Sequence, residues 1–211
     1  MKAWKSIVLF AAGTTIGFVV GYGVSPDPAA EREAAAVEET RHMIDTVKSG
    51  DDAAILALLD GLYEEGGRSV RANIVQAFSP KYISGPRCAA VVEKKWNETE
   101  VAWVRGKLAM ILGQNGTTDA VALLCRLAEN EKNVTILANI TIALRRSHPT
   151  RRSLKTLKAM KGDSRAPLNV YGAGMVGSDG SVAPLTRWAE AAYHEIRIAL
   201  NLDMKDPDFA W

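Results

Sequence analysis

The residue types that could do chemistry in this chain are few and scattered. The two cysteines, Cys88 and Cys125, and the three histidines, His42, His148 and His194, stand far apart. None of them falls at a metal-ligand spacing such as Cys-x-x-Cys. Asp51-Asp52, Asp60 and Glu64-Glu65 gather carboxylates that could in principle hold a cation. A helix N-cap and solvated turn charges explain the same residues more simply. His194 and Glu195 neighbour Tyr193 and Trp188, but no nucleophile or second base sits at a spacing that would join them. The stretch "GAGMVGSDG" is rich in glycine, yet no strand precedes it and it lacks G-x-G-x-x-G, so it is no phosphate cradle. The sequence therefore assigns no catalytic, cofactor-binding or metal-binding residue, and the expectation is that the protein is not an enzyme and carries no cofactor.

The densest chemical feature is basic: "LRRSHPTRRSLKTLKAMKG", residues 144–162. On a helix after Pro149, Arg151, Arg152, Lys155 and Lys158 fall on one face, and Leu154, Leu157 and Met160 take the other. Arg145 and Arg146 flank the preceding turn. Such a ridge is either the solvated side of an amphipathic helix or a contact for an acidic partner or anionic lipid headgroups. The chain as a whole is nearly balanced, with 26 basic and 24 acidic residues and a net charge of +2. A strongly basic domain is absent, so no nucleic-acid partner is expected. The four Asn-x-Thr sequons, at Asn97, Asn115, Asn133 and Asn139, read as caps and turns.

These residues need elements to hold them. The first is apolar: Ser6 to Val24 contains no charge. As a helix it would span about 28 Å at ~1.5 Å per residue, close to the ~30 Å hydrocarbon core of a bilayer. Lys2 and Lys5 precede it, and Asp27, Glu31 and Glu33 follow. That asymmetry predicts a transmembrane signal anchor over 6–24 with residues 1–5 in the cytoplasm and the body in the periplasm. Cleavage after Gly23, giving a soluble periplasmic protein, is the alternative. Gly13, Gly17 and Gly21 lie on one face of such a helix, where a second membrane helix could approach closely.

"SPDP" breaks this run, with Asp27 as N-cap and Pro28 at the first helical position. A linker and capping helix over 25–50 follows, and its Met43, Ile44 and Val47 require a core. From Asp51 the chain repeats weakly. "VRANIVQAF" (70–78), "VRGKLAMIL" (104–112) and "ILANITIAL" (136–144) align position for position, at offsets of 34 and 32 residues. Each is preceded by a short apolar helix opened by a cap or breaker at Ser49-Gly50-Asp51, Ser84-Gly85-Pro86 or Gly116-Thr117-Thr118. In this register Cys88 aligns with Ala120 and not with Cys125, so two buried free thiols are expected in preference to a disulfide. Two helices per unit at this period indicate an α-solenoid.

The Val-Arg pairs that open the second helices (Val70-Arg71, Val104-Arg105), the small residue near their middle (Val75, Ala109) and endings such as Ala143-Leu144 and Ala199-Leu200 resemble HEAT-like repeats of the phycobilisome-lyase type. The resemblance covers about 51–202. It implies an all-α fold, a short α-solenoid of HEAT-like helix pairs with a concave binding surface lined by the second helices; the transmembrane helix expected from the apolar run 6–24 precedes this region. Ile136-Leu137 departs from the family's arginine ladder. "LNVYGAGMVGSDGS" (168–181) is too glycine-rich for a clean helix, so a short or kinked helix and a loop at 177–180 are expected there. The tail 203–211 should fold back through Phe209 and Trp211 as a cap. The function this implies is a membrane-anchored periplasmic protein-interaction scaffold or accessory subunit, with a lyase-like or cofactor-handling enzyme as a further alternative.

Overall fold

The computed structural model describes residues 5–8, 19–22, 28–63, 68–167, 182–202 and 211, with side chains described from 34 onward within these ranges apart from 68 and 69. The chain divides into two units, Met1–Glu39 and Thr40–Trp211. In the first, β1 (Lys5–Val8) and β2 (Val19–Tyr22) pair antiparallel, Lys5 opposite Tyr22 and Val8 opposite Val19. The helix expected over Ser6–Val24 is therefore not seen at its two ends. Both ends carry β-branched pairs, Ile7-Val8 and Val19-Val20, which suit extended backbone. Gly21 lies in β2 opposite Ser6, whereas Gly13 and Gly17 lie outside the described residues. Among the described residues no helix is long and apolar enough to cross a membrane.

α1 (Pro28–Ser49) starts at the expected proline and ends before Gly50. Met43 and Val47 near its end are buried in the core of the second unit, and Ile44 packs against that core. The remaining described helices are α2 (Asp52–Asp60), α3 (Arg68–Ala77), α4 (Gly85–Glu98), α5 (Ala102–Asn115), α6 (Thr118–Asn130), α7 (Val134–Arg146), α8 (Arg151–Lys158) and α9 (Leu185–Ala199), with a 3-10 turn at Gly61–Tyr63. Among the described residues every helix or strand element of the second unit is thus a helix. Local chemistry sets the starts. The Asp51 carboxylate accepts from the Ala54 N–H at 2.8 Å, and the Asn133 side chain accepts from the Thr135 N–H at 2.9 Å. Asn133, read as a cap from sequence, is one. Gly116 closes α5 in the left-handed conformation, φ 62°, which a side chain would strain.

The helices stack serially in two rows, as in an α-solenoid. α2, α4, α6 and α8 form the first row, and α3, α5, α7 and α9 form the second. Each row is contacted in chain order, and α4–α5, α5–α6, α6–α7 and α8–α9 tie the rows together. The aligned positions all point inward. Ile74, Leu108 and Ile140, then Ala77, Ile111 and Ala143, then Phe78, Leu112 and Leu144 are buried. Each pair of helices leaves an apolar side that only its neighbours can cover, so the core runs continuously between the rows.

The middle of the second row, α5 and α7, is closed where an open concave face was expected. All nine residues from Ile136 to Leu144 in α7 are buried. On α5 only Gln114 is exposed. The backbones of α5 and α7 approach closely at Gly113, where an added Cβ would stand 2.8 Å from the Ala143 Cα. Residues 168–181 lie outside the described residues, as does the tail at 203–210. At the C-terminus the Trp211 ring lies 5.0 Å from that of Tyr193.

Candidate functional site

The first row exposes its polar side, and its charges are ordered. α2 offers Asp52 to Arg87 of α4 at 3.0 Å, and Asp60 to Lys95 of the same helix. α4 offers Glu93 to Arg126 of α6 at 2.7 Å. α6 offers Glu129 to Arg152 of α8 at 3.8 Å. Every step sets an acid on one helix against a base on the next. The acids Asp51, Asp52 and Asp60, grouped in sequence, are thus a cap and two bridges to α4. Glu64 and Glu65 lie outside the described residues. No cluster of three metal-ligating side chains occurs among the described residues.

Lys95 is the member of this ladder that sequence reasoning missed. Cys88, Val91, Val92, Lys95 and Trp96 follow the spacing of one helix face, and all five are buried. A lysine at an apolar position of that period was the available signal. Burial pulls its ammonium pKa down, but the hydrogen bond and charge of Asp60 outweigh it and hold the value above the ordinary one. Its ammonium also lies 5.3 Å over the Tyr63 ring.

The two arginines of the Val-Arg pairs are engaged by aromatic rings of neighbouring helices. Arg71 lies 5.3 Å over the Trp103 ring of the next second-row helix. Arg105 lies 5.5 Å over Trp96, donates to the Thr99 carbonyl at 2.8 Å and stands 3.7 Å from Glu131. Glu131 in turn accepts the Lys132 and Asn133 N–H groups at 2.9 and 2.8 Å, ordering the turn into α7. Leu137 occupies the equivalent position on α7, and no arginine continues the series there. Beside these groups lies an open cleft of about 570 Å³, lined by Trp96, Arg105, Arg126, Glu129, Glu131 and Lys132 among others. Arg105 and Glu131, Arg126 and Glu93, and Glu129 and Arg152 are already paired with each other. The cleft is walled by groups that hold the helices in place.

The basic ridge is present but divided. Arg145, Arg146, Arg151, Arg152, Lys155 and Lys158 are all exposed, while Leu154, Leu157 and Met160 are buried, as the helical spacing required. Arg145 pairs with Glu195 of α9, and Arg152 with Glu129. Glu195, which neighbours His194 in sequence, is thus a structural partner of α7. Arg146, Lys155 and Lys158 form no ion pair among the described residues.

Cys88 and Cys125 are both buried and free. Burial pushes the Cys88 thiol from its ordinary 9.0 up to about 12. Burial raises Cys125 as well, against a hydrogen bond with Thr156 and the charge of Arg152 that lower it. Neither is a ready nucleophile at neutral pH. No family model, curated protein or solved structure matches this chain.

Proposed function

We propose that the chain is a HEAT-like repeat protein that acts as a non-catalytic interaction scaffold or accessory subunit, tethered to the inner membrane by the apolar run 6–24 with its repeats in the periplasm. The observation that carries this reading is the serial two-row stack whose charged side chains bind helix to helix along an exposed polar row. Such a stack offers a long, rigid, solvated face of the kind repeat proteins use to hold partners. Because residues 136–144 of α7 are buried on all sides, partner contact falls to the first row and the ends, not to a concave groove along the second helices. The tether rests on the run's length, its lack of charge and the lysines before it. In hydrocarbon a two-stranded ribbon would leave its outer backbone groups unpaired, whereas one helix pairs them all. The solvent around the run therefore selects between the two.

Affinity purification of the full chain in mild detergent tests the scaffold. A stoichiometric protein that co-elutes, and is lost when Glu93, Lys94 and Arg126 are together replaced by glutamine, supports it. A chain that elutes alone and monodisperse from its native membranes contradicts it. N-terminal sequencing of the mature protein tests the tether: a start at Lys2 or Met1 fits an anchor, and a start at Val24 means cleavage.

A further inference from the structure

The first row ends differently from the way it runs. Each step along it matches an acid on one helix to a base on the next, yet α8, the last helix of the row, carries no acid. Arg152 completes the final pair with Glu129. Beyond it Lys155, Lys158, Arg146 at the end of α7, and Lys161 in the turn after α8 are exposed. None of these four forms an ion pair among the described residues. Residues 145–165 hold eight of the chain's 26 basic residues and one of its 24 acidic ones. That acid, Asp163, is clasped by Arg165 at 2.6 Å, and the guanidinium holds its carboxyl below the usual range. A chain with a net charge of only +2 thus concentrates its positive charge at one end of the stack.

The kind of partner follows from what this end lacks. Specific protein interfaces are built around a desolvated aromatic or aliphatic anchor, with charges at the rim. Here the apolar residues Leu154, Leu157 and Met160 are turned into the core, at 2, 0 and 7 % exposure. No large apolar residue between 145 and 165 is exposed. Within 145–165 the patch is all rim; the exposed apolar residue of this end, Ile198 at 71 %, lies on α9 and outside the basic cluster. A layer of anionic headgroups needs no anchor, because each lysine or arginine near it contributes separately through diffuse attraction. Lysine, a hydrated charge on a flexible stem, suits that role better than bidentate recognition.

We infer that the α8 end of the stack is a contact surface for anionic membrane, formed by Arg146, Lys155, Lys158 and Lys161, while Arg145 and Arg152 hold α7 to α9 and α8 to α6. The inference does not depend on whether 6–24 is a tether, and the two are separable by experiment.

The full chain is mixed with vesicles of neutral phosphatidylcholine or of phosphatidylcholine with phosphatidylglycerol, and its lysines are labelled with a water-soluble acylating reagent and read by mass spectrometry. Labelling of Lys155, Lys158 and Lys161 should fall several-fold on anionic vesicles at low salt and recover at high salt. Labelling of Lys94, exposed on α4, should stay constant throughout. In flotation, the variant R146Q/K155Q/K158Q/K161Q should lose about a hundredfold or more of the anionic partition constant, since each charge contributes on the order of fivefold. Its partition to neutral vesicles should equal that of the parent, and this neutral value reports the tether on its own. Equal lysine labelling on neutral and anionic vesicles overturns the inference. So does stronger protection by soluble polyglutamate than by anionic vesicles, which would make the partner an acidic protein. If the variant fails to fold, the labelling pattern of the parent chain still decides.

Discussion

The two rows of helices meet their neighbours by different means. In the second row α5 and α7 touch backbone to backbone at Gly113 and Ala143, and the Asn139 side chain lies against Gly106. In the first row α4 and α6 are joined across their surfaces by charges, Glu93 to Arg126, with side chains about half exposed. Close apolar contact in a packed interior is lost outright when its shape is spoiled. An ion pair in water is replaced by water at small cost. Stability should therefore reside in the second row, and the first row should be free to change its charges in the course of acquiring partners. Four perturbations sharpen or break this contrast.

The largest effect is expected at Leu108, wholly buried between α5 and its neighbours. Leu108→Ala should cost about 3 kcal/mol by urea unfolding, within the range for emptied core sites. A cost near that of a surface substitution would mean that the second row is not the core. Next comes Gly113→Ala. Alanine favours helix by about 1 kcal/mol, but its Cβ would stand 2.8 Å from backbone that cannot move cheaply. The net cost should be about 2 kcal/mol. Gly106→Ala meets only the Asn139 amide, at 3.1 Å, and should stay within about 1 kcal/mol of the parent.

The third perturbation is alkaline pH. Cys88 and Lys95 both have folded-state pKa values above their ordinary ones. Groups of that kind contribute stability in full below the unfolded-state value and lose it as pH rises toward the folded one. The urea midpoint should hold up to about pH 9 and fall from there toward pH 12, the window set by Cys88, with Lys95 adding to the fall above its ordinary 10.5. Cys88→Ala should lessen the fall between 9 and 10.5, where Cys125 and, above 10.0, Tyr193, both also raised by burial, still contribute. An alkaline limb identical in the parent and this variant would show that the thiol is not shielded. The smallest effect is expected for Glu93 and Arg126. Their coupling in a double-mutant cycle should be about 0.5 kcal/mol or less and should vanish in high salt.

Much of the fold was legible because it is local. The aligned triplets, such as Ile74, Leu108 and Ile140, marked the buried faces through helical spacing alone. Asp51 and Asn133 marked helix starts through their capping side chains, and Pro28 through its missing N–H. What escaped was set by residues distant in sequence. Arg145 and Arg152 looked like members of one free ridge because their acids, Glu195 and Glu129, lie 50 and 23 residues away. The burial of every residue from 136 to 144 in α7 was also invisible, since periodicity reveals an apolar side but not what covers the opposite one. The run at 6–24 was ambiguous for another reason. An uncharged stretch with β-branched ends suits a helix in lipid and extended pairing elsewhere, and composition does not name the solvent.

Native-state hydrogen exchange tests the two-row arrangement most directly, by reading each helix's opening free energy in one experiment. If the second row is the closed core, amides of α5 and α7 should exchange only through global unfolding, while α2 and α8 at the ends of the first row should open at lower free energy. Exchange in α7 as fast as in α2 or α8 would contradict it.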